Sequence, residues 1–151
     1  TQRNLGAAGI EQATGIGEKL AASAVRLGKT VYTSQWCRCR DSARLIVGRL
    51  NARRNNNSAA AGEYFSVEEE WGLNSFYQPE RGGFTEAACM KRLEESVLGR
   101  LRAIPVGERD GAVTLMVTHK VTVSAVTGID VDSGAIVAYD SKTGEAKRLE
   151  L

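Results

Sequence analysis

The chain has 151 residues, 42% hydrophobic and 25% charged, the proportions of a globular protein with enough material for one real core. A net charge of +2, from 20 Lys+Arg against 18 Asp+Glu, is too balanced by itself to argue for nucleic acid or an anionic membrane as a partner. No apolar run approaches the ~20 residues that span a bilayer. The polar opening Thr1-Gln2-Arg3-Asn4 shows neither a signal peptide nor an initiator Met, so we expect natural residues upstream.

Residues 7–27 read as a helix, because Ala13, Ile16, Leu20, Ala24 and Leu27 recur at three- and four-residue steps. Gly15 and Gly17 each weaken it by up to about 1 kcal/mol, and Gly28 is the expected C-terminal stop. "KTVYTS" (29–34) is short, β-branched and aromatic, the pattern of a buried strand. A second helix is expected over 37–50, with Ala43, Ile46, Val47 and Leu50 on one side. "NARRNNNSAAAGE" (51–63) reads as a solvated loop. Its arginines and asparagines could suggest RNA, but no aromatic residue is interleaved with them. Residues 64–83 have no clean period and hold Trp71, Phe76, Tyr77, Pro79 and a Gly82-Gly83 pair. We read them as a long ordered excursion, a kind of segment that is often functional.

A third helix over 85–104 has Met90, Leu93, Val97, Leu101 and Ile104 on its buried face, Thr85 as N-cap, and Pro105 and Gly107 as its end. "AVTLMVTH" (112–119) is a near-continuous apolar strand, as expected where both faces are covered. "VTVSAVTG" (121–128) is expected to be a short helix despite its β-branched residues. "GAIVAYD" (134–140) and "EAKRLEL" (145–151) flank "SKTG", a hairpin signal. There is no internal repeat and no sign of a second domain, so residues 1–151 form one domain. The order of elements predicts a three-layer α/β/α sandwich with a largely parallel sheet. It starts on a helix, so we expect a first strand to be missing.

In such sheets ligands bind beyond the carboxyl ends of the strands. Two expected strands end on polar residues, at Thr33-Ser34 and at Thr118-His119. Arg38 follows Ser34 by four positions, on the first turn of the next helix. Its planar fork of donors suits phosphate, carboxylate or sulfate, and the helix N-terminus adds partial positive charge there. On an amphipathic helix Arg38 is otherwise an ordinary surface arginine, and nothing lifts Arg40 or Arg44 above that description. His119 is the chain's single histidine. It is either a buried imidazole satisfied by one hydrogen bond or a functional group. Cys37, Cys39, Cys89 and His119 make four soft or borderline ligands, the number zinc takes, but Cys-x-Cys is tighter than the usual Cys-x₂-Cys. The odd count of three cysteines leaves at least one unpaired within the chain.

Taken in order, these stretches resemble the histidine phosphatase (phosphoglycerate mutase-like) superfamily. "VYTSQWCRCRDSARL" is similar to its second motif, a strand followed by Ser, by Arg four positions on, and by Thr-Ala, met here by Ser34, Arg38, Ser42 and Ala43. Ser42 stands in place of the usual Thr. "RNLGAAGIEQA" (3–13) resembles the family's first helix entry through Asn4, Leu5, Gly9, Gln12 and Ala13. "LMVTHKVTVSAVTG" (115–128) resembles the late strand ending Val-Thr-His and the helix that closes on Thr-Gly. "GLNSFY" (72–77) resembles a subgroup that includes bacterial lipopolysaccharide core heptose phosphate phosphatase.

The resemblance implies a phosphomonoesterase that works through a phosphohistidine intermediate on a small phosphorylated substrate, and it implies no cofactor, since the histidine chemistry needs no metal. It implies that Arg38 clamps the phosphoryl oxygens and that His119 is the second histidine, donating to the same oxygens as charge develops. Ser34 and Asn74 are candidate substrate contacts. A Glu of the excursion would be the general acid, from among Glu63, Glu68, Glu69, Glu70 and Glu80, although such a run is also an ordinary solvated face. The family's nucleophile lies in an Arg-His motif at the end of the first strand, and this sequence contains no such pair. We therefore expect a fragment of a longer phosphatase. The alternative is a non-catalytic phosphoryl-binding or interaction domain. The subgroup also suggests a periplasmic home, where one cysteine would pair with another outside these residues. Oligomeric state is left open.

Overall fold

The computed structural model describes residues 4–55, 64–77, 83–105 and 110–150. It is a mixed α/β structure whose backbone gathers into two compact units, one built from the chain up to Glu69 with Gly111–Val117, the other from Glu70–Asp110 with Thr118–Glu150.

In the first unit α1 (Ala7–Ala22) packs against α2 (Cys37–Asn55). The helix expected over 7–27 stops at Ala22, and Ser23 rather than Gly28 ends it. The Ser23 N–H donates to the Lys19 and Leu20 carbonyls at 3.0 and 3.2 Å, and its hydroxyl donates to the Leu20 carbonyl at 2.8 Å. Those bonds satisfy carbonyls that the helix end would otherwise leave open. Leu27 keeps the apolar phase but bridges Val113 in parallel, as a strand residue does. Gly17 is buried where the helices touch. A Cβ there would lie 2.9 Å from the Arg49 Cβ and 3.0 Å from the Ile46 Cα, so glycine lets the two backbones meet.

The helix α2 continues five residues past the expected end at Leu50, into the segment read as loop. Asn51 does not break it, because its side chain is occupied. The amide donates to the Phe65 carbonyl at 3.1 Å, and its oxygen accepts from the Phe65 N–H at 2.9 Å. Arg53 and Arg54 fall in the last turn, where cations suit the helix dipole.

Three parallel strands lie in the order β2–β1–β3: β1 (Thr30–Thr33), β2 (Ser66–Glu69) and β3 (Met116–Val117). The strand expected over 29–34 is β1. β2 lies inside the excursion and has no apolar signal, since only Val67 of its four residues is even half-buried. The expected strand over 112–119 contracts to two laddered residues, flanked by the Leu27–Val113 bridge and by the Tyr32 N–H bond to the Leu115 carbonyl at 3.0 Å. The chain turns off after Val117, so Thr118 and His119 lie outside the ladder. Val31 packs on Ala43 and Val47 of α2; Leu20, Ile46 and Leu50 form the neighbouring cluster, and Leu115 and Val117 pack against both.

In the second unit a single 3₁₀ turn (Trp71–Leu73) precedes α3 (Glu86–Leu93). Thr85 caps α3 as expected, its hydroxyl accepting from the Ala88 N–H at 3.2 Å. The expected helix does not keep one period. It widens into a π-helical stretch (Glu94–Leu98) and closes with α4 (Gly99–Ala103). The π stretch turns Ser96, Val97 and Leu98 inward together, which a 3.6-residue stripe does not do, and Ile104 is left exposed. Gly99 follows the bulge where a side chain would run into the Glu94 carbonyl. The short helix α5 (Lys120–Thr127) forms as expected, ending on Gly128 at φ 72°. β4 (Ile136–Tyr139) and β5 (Ala146–Leu149) form the expected antiparallel hairpin. Its turn is held by Asp140, whose carboxylate accepts from the Lys142 N–H at 2.8 Å, and by Gly144 at φ 78°.

Candidate functional site

β1 and β3 end in register. Thr33 stands opposite Val117, and the Ser34 N–H donates to the Val117 carbonyl at 3.1 Å. Ser34 and Arg38 follow the first of these strands, Thr118 and His119 the second. The strand order reverses direction at β1, the topology at which open α/β sheets bind ligands beyond their carboxyl ends.

Ser34 is 0% exposed. Its hydroxyl accepts from the Trp36 N–H at 3.2 Å, a turn that sets the chain into α2. The Trp36 carbonyl then accepts from the Cys39 and Arg40 N–H groups at 3.0 and 3.1 Å. The side chain expected to touch substrate is thus buried in the turn that launches the helix. Arg38 sits on the first turn of α2, as the spacing predicts, and is exposed. The first turn holds no acidic residue, although acids are what a helix N-terminus ordinarily favours.

The other two arginines of the motif are engaged. Arg40 donates to the Glu69 carboxylate at 3.4 Å and lies 3.8 Å from the Cys37 sulfur. Arg44 is 3.9 Å from Asp41. Among the described residues no carboxylate pairs with Arg38. Its charge acts instead on the neighbouring thiol. Burial pushes Cys39 up to about 11, against the opposing pull of Arg38 and of the Ser34 hydroxyl.

His119 and Asn74 belong to the second unit. His119 is half-buried at the N-cap position of α5, and its carbonyl accepts from the Thr122 and Val123 N–H groups, each at 3.0 Å. Asn74 is 1% exposed. Its carbonyl accepts from the Thr122 hydroxyl at 3.4 Å and from the Cys89 thiol at 3.8 Å. The Thr118 hydroxyl donates to the adjacent Leu73 carbonyl at 2.7 Å. Asn74 and the His119 turn are therefore brought together. Thr118, Thr122 and Cys89 do this work; the sequence marks Thr118 only as a polar strand end and Cys89 only as a possible metal ligand, and it does not mark Thr122 at all.

The general-acid candidates divide. Glu63 and Glu80 lie outside the described residues. Glu68 is exposed, and Glu69 is exposed and paired with Arg40. Glu70 is 5% exposed and accepts from Arg92 at 2.8 and 3.1 Å and from the Gly72 N–H at 2.9 Å. Burial alone would raise its carboxyl. Arg92, the Gly72 amide and the Ser96 hydroxyl, which lies beside it short of a full hydrogen bond, outweigh burial and hold it below its ordinary 4.5. A carboxylate held ionised in this way has no proton to give at neutral pH.

None of the three cysteines is in a disulfide. Among the described residues no group of three or more His, Cys, Asp or Glu side chains could hold a metal ion, so the four ligands considered for zinc are not gathered. Among the same residues no helix is long and apolar enough to cross a membrane. In comparisons with known proteins the chain matches no family model and no curated protein.

Proposed function

We propose that Arg38 and His119 act on one phosphoryl group, in the manner of the histidine phosphatase superfamily, and that the chain builds the corresponding phosphoglycerate mutase-like three-layer sandwich. What carries this proposal is the resemblance of "VYTSQWCRCRDSARL" and "LMVTHKVTVSAVTG" to two motifs of that superfamily, and within the first unit Arg38 stands on the first turn of α2, just after the carboxyl end of β1. It is supported by Arg38 being the arginine of its motif that pairs with no carboxylate among the described residues.

In this scheme the Arg38 fork takes two phosphoryl oxygens, and the amides of the first turn of α2 add to the same field. His119 donates a ring N–H to an equatorial oxygen. Charge spreads over these oxygens in a loose transition state, so both contacts strengthen as the phosphorus leaves its first oxygen. The covalent step uses a nucleophilic imidazole. Its nitrogen forms a bond to phosphorus as the ester P–O bond breaks, and an acid protonates the departing oxygen. Water then attacks phosphorus, the N–P bond breaks and orthophosphate leaves. His119 is the only histidine in these 151 residues. We therefore assign to this chain the phosphoryl clamp, and the hydrolysis to a protein in which an Arg-His nucleophile is also present. That single histidine also favours a second reading, a domain that binds phosphorylated ligands without turning them over. A periplasmic home rests on the subgroup resemblance.

Calorimetric titration with inorganic orthophosphate tests the clamp. Saturable binding that weakens about tenfold or more in Arg38→Ala and in His119→Ala is expected, each change matching loss of a charge-assisted contact. Absence of saturable binding by the wild-type chain would sink it. Hydrolysis of p-nitrophenyl phosphate by the natural full-length protein then separates the two readings: a phosphatase cleaves this ester, and a binding domain leaves it intact.

A further inference from the structure

The segment from Gly72 to Ser75 is buried at four successive residues. Connecting segments normally run exposed, because their backbone polar groups need water. Here side chains replace the water. Thr118 donates to the Leu73 carbonyl at 2.7 Å, and Thr122 donates to the Asn74 carbonyl at 3.4 Å. The Cys89 thiol is a second donor to the Asn74 carbonyl, at 3.8 Å. Gly72 lies so close to α3 that a Cβ would stand 2.9 Å from the Leu93 nitrogen. The same segment is tied at its start by Glu70 and Arg92.

The two threonines stand one residue before and three residues after His119, the first just ahead of α5 and the second within its first turn. Any shift of the His119 backbone pulls on one bond or the other. We propose that Thr118 and Thr122 are positioning residues that latch the His119 turn to the Leu73-Asn74 segment and so fix the imidazole for phosphoryl binding. The functional half of this proposal rests on the phosphoryl clamp proposed above. The latch itself rests on hydroxyl-to-carbonyl geometry alone. A methyl in place of each hydroxyl keeps the shape and removes the donor.

His119 is the sole histidine in these 151 residues, so the imidazole Hε1 resonance in proton NMR is assigned to it without ambiguity. The test follows that signal through a pH titration of the full chain, with and without inorganic orthophosphate, in wild type, Thr118→Val, Thr122→Val and Thr118→Ser. The expected result is a displaced or broadened His119 signal with an altered apparent pKa in both valine variants. Orthophosphate binding should weaken about tenfold, as misplacing a reacting group does, and Thr118→Ser should restore both properties. A role confined to stability would lower the melting temperature and leave the His119 titration where it was. If wild type binds orthophosphate and the valine variants bind equally with an unchanged His119 titration, the latch is overturned while the clamp stands. If wild type does not bind orthophosphate, the clamp falls and the functional half of this proposal falls with it. Should Thr118→Val fail to fold, Thr122→Val and Thr118→Ser decide the matter.

Discussion

Arg92 grips the buried carboxylate of Glu70 with two parallel hydrogen bonds, Nε to Oε1 at 2.8 Å and Nη2 to Oε2 at 3.1 Å. The same guanidinium lies 5.7 Å from the Trp71 ring centroid, and Trp71 stacks on Phe84 at 6.0 Å. One pair thus fastens the start of the 71–75 segment to α3. Glu70→Gln removes the charge from this grip and should cost about 1–3 kcal/mol, the range for a buried group left with a poorer partner.

The pair also sets an acid limit. Glu70 has a folded pKa below its ordinary 4.5, so the folded state binds its proton less readily than the unfolded chain does. Its stabilisation is complete above that ordinary value and is lost as pH falls through the lower folded value. Thermal unfolding followed from pH 7 down to pH 3 should show wild type losing its advantage over Glu70→Gln on the acid side of 4.5. Parallel curves across that window would remove Glu70 from the account.

Two glycines of one helix should respond in opposite directions. A Cβ at Gly17 meets Arg49 and Ile46 at 2.9 to 3.1 Å, while a Cβ at Gly15 meets nothing within 4 Å. Gly17→Ala should destabilise by about 1–3 kcal/mol, since α1 and α2 must separate to admit the methyl. Gly15→Ala should stabilise by up to about 1 kcal/mol, through helix propensity and a less flexible unfolded chain. Urea unfolding of the two variants checks both signs at once.

The three thiols should differ in reactivity. Cys39 is 6% exposed and pushed up to about 11, and Cys89 is fully buried with its thiol also raised by burial. Cys37 is half-buried. A thiol reagent at pH 8 should label Cys37 first and reach the other two on the timescale of unfolding. Fast labelling of all three in the folded chain would contradict the described packing around α2 and α3.

Much of the fold could be read from residues whose signal is local. Thr85 caps α3 because its hydroxyl needs only the amide three residues on, and Gly128 and Gly144 take up φ angles of 72° and 78° that their turns require. The errors came where a distant partner decided. Ala24 and Leu27 continue the phase of α1, but Ser23 closes the helix and Leu27 pairs with Val113, which is far away in sequence. Asn51 looks like a helix breaker until Phe65 occupies its side chain. β2 is polar and rests on pairing with β1 rather than on an apolar pattern.

The candidate site divides the same way. Arg38 on the first turn of α2 follows from spacing. That Arg40 and Arg44 find carboxylates, that Ser34 is buried in a turn, and that two threonines reach Leu73 and Asn74 are facts of tertiary geometry. No period or motif encodes them.

The most direct test of the central claim is a double-mutant cycle on orthophosphate binding. Calorimetry would compare wild type, Arg38→Ala, His119→Ala and the double variant. If both side chains hold one phosphoryl group, each single change weakens binding about tenfold or more, and the double variant loses less than the two losses combined. Independent, fully additive losses, or a wild-type chain that binds no orthophosphate, would contradict the account.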